Sequence, residues 1–186
     1  MKNMLEIVSH FATAGSVYEI NPLGSGLIND TYKVVTKEED KPDYVLQKIN
    51  NAIFQNVDML QENIAAVTGH IRKKLEDFGE KDIDRKVLHF IDTNDGKRYY
   101  IDEEDSYWRM MVFIPNAKTY ETLNPEFSYY AGKAFGEFQA MLADIPTQLG
   151  ETIPDFHNME FRLKQLREAV HGNAVGRLDE ARYYVD

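Results

Sequence analysis

The hydrophobic pattern of this chain turns from mainly strand-like to wholly helical near Pro115, and that change limits what it can fold into. Before Pro115, short apolar runs with β-branched and aromatic residues alternate with turn residues, the mark of strands; after it, apolar residues recur at three and four, the mark of helices. Strands are expected over 16–22, 29–36, 44–49, 86–92, 97–102 and 107–114. Gly24-Ser25-Gly26 and the charged run 37–43 supply turns, and Asn94-Asp95-Gly96 folds 97–102 back on 86–92 as a hairpin. A short helix is expected over 4–14, with Leu5, Val8 and Phe11 at helical spacing. One long helix interrupts the strands: Asp58 caps it, Gln61 completes a capping box, and Leu60, Ile64, Val67, Ile71 and Leu75 form its apolar stripe. Beyond Pro115, Asn124-Pro125 opens a helix on which Phe127, Tyr130, Ala131, Ala134, Phe135, Phe138, Met141 and Leu142 make a broad face expected to be buried. Asn158 caps another helix carrying Phe161, Leu163, Leu166 and Val170, and 177–185 begins one more. A strand-rich half followed by a helical half is an α+β layout in two lobes, 1–114 and 115–186.

Charge and composition exclude several classes of function. The formal net charge of −10 argues against nonspecific nucleic-acid binding, which needs clustered Lys and Arg to displace counterions. The chain has no cysteine, so disulfides, thiolate nucleophiles and cysteine zinc sites are ruled out. No apolar signal run opens the chain and no stretch approaches the ~18 apolar residues of a membrane span. A cytoplasmic protein without membrane or nucleic-acid partners is expected.

Three features bear on chemistry. Gly24-Ser25-Gly26-Leu27-Ile28-Asn29 lies between two strands, where glycines let backbone N–H groups approach a polyphosphate; the same residues also suit a plain hairpin turn. It is neither a P-loop nor a Rossmann fingerprint, because no Gly-Lys-Ser/Thr and no helix follow. Lys48 shares a strand face with Leu46, and a lysine on an apolar face is costly unless paired. Its candidate partner is Glu62, in the first turn of the long helix; a solvated Lys48 and a solvated Glu62 are the competing readings. Strand, glycine turn, strand, lysine strand, acidic helix and a strand leading to a linker follow the order of a protein-kinase-like small lobe.

Gly24-Ser25-Gly26-Leu27-Ile28-Asn29-Asp30-Thr31-Tyr32 and Tyr44-Val45-Leu46-Gln47-Lys48-Ile49-Asn50 resemble the N-terminal lobe of bacterial N-acetylhexosamine 1-kinase-like proteins. These belong to the aminoglycoside phosphotransferase and choline kinase-like superfamily. Tyr107-Trp108-Arg109, the stretch from Ala131 to Gln139 and that from Glu151 to Asn158 extend the resemblance over essentially the whole chain. It implies a protein-kinase-like nucleotide lobe, an antiparallel sheet plus helix, followed by the first helices of a truncated helical lobe. It implies an ATP site with Mg²⁺, in which Gly24, Ser25, Gly26 and Asn29 cover the phosphates. Lys48, held by Glu62, contacts those phosphates, and Val112, Phe113 and Ile114 form the hinge beside adenine. Asn29 stands where the protein-kinase pattern has a third glycine. His157 is a candidate sugar contact, with a purely structural role as its alternative.

The resemblance also shows what is missing. Such kinases use an H-x-D-x-x-x-x-N loop and a further Asp to hold the acceptor and the metal. His171-Gly172-Asn173 has Asn where Asp is needed, and His89-Phe90-Ile91-Asp92 has the wrong spacing. No catalytic and no metal-ligating residue is therefore assigned. The chain is expected to be a fragment or a naturally truncated product, inactive alone, of a sugar phosphotransferase. A non-catalytic nucleotide-binding or self-associating module is the alternative. Some relatives carry a mucin-desulfatase name; sulfatases need a Cys or Ser nucleophile in a C/S-x-P-x-R context, and the sequence contains none.

Overall fold

Tyr44–Ile49 carries alternating and flanking bulky residues with no glycine or proline, so it forms a central strand over the span its pattern predicts. The computed structural model describes residues 4–24, 26–118, 120, 122 and 124–185. In chain order the elements are α1 (Met4–Ser9), β1 (Val17–Pro22), β2 (Asp30–Thr36), β3 (Tyr44–Ile49), α2 (Val57–Asp77), α3 (Ile83–Lys86), β4 (Phe90–Ile91), β5 (Tyr100–Ile101), β6 (Tyr107–Val112), α4 (Pro125–Leu142), α5 (Met159–Gly172) and α6 (Leu178–Val185). The strands form one antiparallel sheet in the order β1-β2-β3-β6-β4, with β5 also on β6. The fold is α+β, as expected.

Each face of the sheet is covered by a different helix. Val34, Tyr44, Leu46, Trp108 and Met110 pack with Ile7, Val8 and Phe11, so α1 covers that face. Side chains of opposite parity point the other way. Tyr107 packs there against Tyr99 in a tilted arrangement at 5.6 Å, and the Tyr99 hydroxyl donates to Asp58 of α2 at 2.7 Å. Phe90, in register with Met111, lines a cleft with Gln61, Ile64 and Ala65 of α2. The face carrying Tyr107, Arg109 and Met111 therefore lies under α2.

Several local expectations change. The first helix stops at Ser9, because Phe11 bridges to Thr93 instead of continuing it. Asn56, not Asp58, caps α2, accepting from the Met59 N–H at 2.9 Å; the Asp58 carboxylate is occupied by Tyr99. Of the expected strand 86–92 only Phe90–Ile91 forms, as β4; Lys86 ends the helical turn α3 and 87–89 belong to no regular element. Its expected hairpin with 97–102 does not form: the Thr93 hydroxyl accepts the Lys97 N–H at 2.8 Å, and β4 and β5 each pair with β6 instead. The hairpin that does form joins β5 to β6 through the turn at 102–106, where the Asp102 N–H donates to Ser106 at 3.0 Å.

By internal contacts the chain divides into two units, Met1–Thr152 and Ile153–Asp186. In the first unit α2 is tied to α4 and to the segment beyond it. Lys74 Nζ donates to the Met141 carbonyl at 2.9 Å at the end of α4, where a cation meets unpaired carbonyls. Asn63 donates to the Gly150 carbonyl at 2.7 Å and accepts the Gly150 N–H at 2.9 Å. A Cβ at Gly150 would meet Met59 Cγ at 2.6 Å, so a larger residue there requires the Met59 side chain to move. Asn124 caps α4, as its sequence predicts, accepting from Phe127 at 2.7 Å. The broad apolar face expected to be buried is not: none of α4 is buried, and Tyr129, Tyr130, Phe135 and Phe138 are exposed. Sequence spacing marks an apolar face but cannot supply what packs on it. In the second unit, Asn158 caps α5, and Asn173 ends it in the left-handed conformation while accepting the Leu178 N–H at 3.1 Å. No helix of the described residues is long and apolar enough to cross a membrane.

Candidate functional site

The turn between β1 and β2 is held at its base and open at its tip. Leu23 donates to the Thr31 carbonyl at 2.8 Å, and the Asn29 side chain accepts the Asn50 N–H at 3.0 Å, tying the turn to the end of β3. Gly24 has φ +72°, the left-handed region that favours glycine. Gly24 and Gly26 are exposed, and Leu27 at the tip is fully exposed. Ser25 lies outside the described residues.

Beneath this turn, on the α2 side of the sheet, runs a row of polar side chains. Thr31, Gln47 and Arg109 are register partners on β2, β3 and β6. Arg109 Nε donates to Gln47 Oε1 at 3.0 Å, and Gln47 Nε2 donates to the Thr31 hydroxyl at 3.1 Å. The Thr31 hydroxyl in turn donates to the Asn29 carbonyl at 3.5 Å. The row thus leads from a half-buried guanidinium to the glycine turn. Burial pulls the Arg109 pKa down to about 10, so the group remains a cation at neutral pH. Among the described residues no acid forms an ion pair with it, and its Cζ lies 5.6 Å from the Phe90 ring centroid. Its Nη1 is buried and has no hydrogen-bond partner among the described residues. The same holds for Nε2 of Gln61, itself 3% exposed on α2.

Lys48 and Glu62 are not brought together. Lys48 is in register with Trp108 and shares the parity of Leu46, so it lies on the α1 side of the sheet. Glu62 is exposed on α2, which covers the opposite side, beside Asn63 and Gly150 in a separate cleft. Among the described residues no ion pair joins them. The hinge residues stand where β6 leaves the sheet. Val112 and Phe113 line a cleft of about 510 Å³ with Ile114, Asp43 and Arg85. Their N–H groups donate to His89 at 2.9 Å and to Asp43 at 2.8 Å. Lys33 Nζ lies 4.3 Å from the Phe113 ring centroid and 2.9 Å from Asp43. His157 is exposed and packs edge-on against Phe156 at 4.6 Å in the second unit.

Gln47 and Arg109 are the polar residues that sequence reasoning passed over. Their signal was present: each is a polar residue at inward parity within an apolar strand. The donor chemistry of the turn and of the guanidinium in line with it suits a phosphate group. A divalent metal has no counterpart, because no group of three His, Asp or Glu side chains clusters among the described residues.

No family model matches the sequence. Among solved structures, the chain is similar to a spectinomycin phosphotransferase in complex with ADP and spectinomycin, at a TM-score of 0.52 and 11% identity. The likeness covers 92% of this chain and 45% of that protein, so this chain spans less than half of its length. At that identity it establishes architecture alone: this chain has the antiparallel sheet and helices of an aminoglycoside-phosphotransferase-like fold.

Proposed function

We propose that this chain is the nucleotide-binding lobe, with the opening helices of the substrate lobe, of an ATP-dependent phosphotransferase acting on a small sugar. An N-acetylhexosamine hydroxyl is the leading acceptor. The observation that carries the reading is the open glycine turn set at the end of a hydrogen-bonded polar row. Gly24, Gly26 and Asn29 cover the phosphates, and adenine lies by Val112 to Ile114. With Val112 and Phe113 N–H groups engaged, adenine must bond elsewhere on that segment. ADP in the similar spectinomycin phosphotransferase supports the nucleotide part of the reading. Mg²⁺ accompanies ATP, and its ligands are expected outside these residues.

The test has two arms. The 186-residue chain should bind ATP in a calorimetric titration but release no phosphate, because no H-x-D-x-x-x-x-N set is present. The complete protein should phosphorylate N-acetylglucosamine or N-acetylgalactosamine with Mg-ATP. Failure to phosphorylate any small hydroxylated acceptor would refute the phosphotransferase reading.

A second reading is a self-associating module. It is favoured by the exposed Tyr129, Tyr130, Phe135 and Phe138 on α4. Light scattering that finds a strict monomer at every concentration would exclude it.

A further inference from the structure

The phosphate-binding cation expected at Lys48 is on the wrong side of the sheet for the site proposed above. A cation does lie on the other side, in line with the glycine turn. We propose that Arg109, presented by Gln47, is the side chain that binds the polyphosphate of the nucleotide. This inference rests on the nucleotide reading and assigns its central contact.

Four observations lead to it. Arg109 is at inward parity beneath α2, and Gln47 and Thr31 connect it to Asn29 at the foot of the turn. Burying a cation without an acid costs free energy unless some acceptor answers it, and no acidic side chain does so among the described residues. The two buried side-chain atoms without a partner among the described residues, Arg109 Nη1 and Gln61 Nε2, are both donors. What complements an orphaned donor on a buried cation is an oxygen-rich anion. Finally, the Nε–Gln47 bond holds one edge of the guanidinium in the polar row. Nη1 is sealed from solvent here, so a phosphate meets it only after the guanidinium turns toward the turn. Gln47, acting through Arg109, is a positioning residue.

The experiment titrates the 186-residue chain with ATP, tripolyphosphate and adenosine. Arg109→Met should weaken ATP and tripolyphosphate binding about 10- to 100-fold, the range for a hydrogen bond to a charged group. Adenosine affinity should stay within about twofold, as should all three affinities in Lys48→Met. Gln47→Leu should weaken the two phosphates by a smaller factor. The inference is overturned if Lys48→Met carries the loss instead, or if Arg109→Met weakens all three ligands alike. Should Arg109→Met melt below room temperature, Arg109→Lys keeps the charge without the planar fork. A phosphate-confined loss in Arg109→Lys sustains the inference and an unchanged affinity overturns it. A wild-type chain that binds adenosine but not tripolyphosphate removes the inference alone; one that binds none of the three removes the nucleotide reading with it.

Discussion

Replacing Asp102 tests how the β5–β6 hairpin is held. Asp102 is 9% exposed, and among the described residues its carboxylate serves three donors. Oδ1 accepts the N–H groups of Glu104 at 2.9 Å and Ser106 at 3.0 Å, and Oδ2 accepts Trp108 Nε1 at 2.7 Å. Trp108 is 1% exposed, so without Asp102 its indole N–H is left buried and unanswered. Hydrogen bonds to a charged acceptor contribute about 1.5–3 kcal/mol each, and a stranded buried donor costs about 1–3 kcal/mol. Glu104 is exposed and its N–H regains water, so the loss concentrates in Trp108 and Ser106. Asp102→Ala is therefore expected to cost about 3–4 kcal/mol, out of a total of roughly 5–15 kcal/mol for a protein of ordinary stability.

Asp102→Asn separates these terms. It keeps an acceptor for the turn but sets an amide donor against the indole, and should cost about 2–3 kcal/mol. Urea denaturation followed by far-UV circular dichroism measures both variants. A double-mutant cycle with Trp108→Phe should give a coupling of about 1.5–3 kcal/mol. The reasoning fails if Asp102→Asn lies within about 0.5 kcal/mol of wild type, or if the two changes add within about 0.5 kcal/mol.

Other outcomes follow from the same geometry. Asn63→Ala removes both bonds to Gly150 and should destabilise the first unit by about 1–3 kcal/mol, read by urea melts; no change would mean the tie is incidental. Burial pushes the Asp43 carboxyl up, but Lys33 and the Thr36 N–H outweigh it and hold it below the usual aspartate range. Its folded pKa is depressed, so its contribution is complete above the unfolded value of about 3.9 and is lost as pH falls through the folded one. The Asp43→Asn penalty should therefore be constant near neutrality and vanish in acid; a penalty unchanged at low pH would refute the ion pair. The hydrogen bond to Asp58, helped by burial, pushes the Tyr99 hydroxyl up to about 12. Asp58→Asn should return it toward 10, measured by NMR titration of the ring, and an unmoved titration would show that Asp58 is not the cause.

Local signals were the readable part of this fold. Asn124 and Asn158 cap their helices because capping is settled within three residues. The positions that misled are those decided by distant partners. Asp58 looks like a cap two residues after the true one, but Tyr99, 41 positions away, takes its carboxylate. The segment 97–102 looks like the return strand of a hairpin. Thr93 spends its hydroxyl on Lys97, and the ladder goes to β6. The α4 face is apolar in sequence and bare in the structure, since patterning specifies a surface and not its cover.

The site itself turns on parity, which a strand buried on both faces conceals. In β3, Tyr44 and Leu46 on one face and Ile49 on the other are all nearly inaccessible, so hydrophobicity does not say which face meets α2. A shift of one residue then exchanges faces. Charge favours Lys48 over its neighbour Gln47, but Lys48 shares the face of Leu46 and Trp108, which α1 covers. The deciding information is in the partner strand. Arg109 falls opposite Gln47 and between Tyr107 and Met111, so two polar residues share one face of two adjacent apolar strands. A single polar residue in a strand can be solvated at an edge; a registered pair in central strands has no such escape and must be answered within the sheet or by a ligand. On this sheet that pair, rather than the isolated lysine, marks the face where a ligand is to be sought.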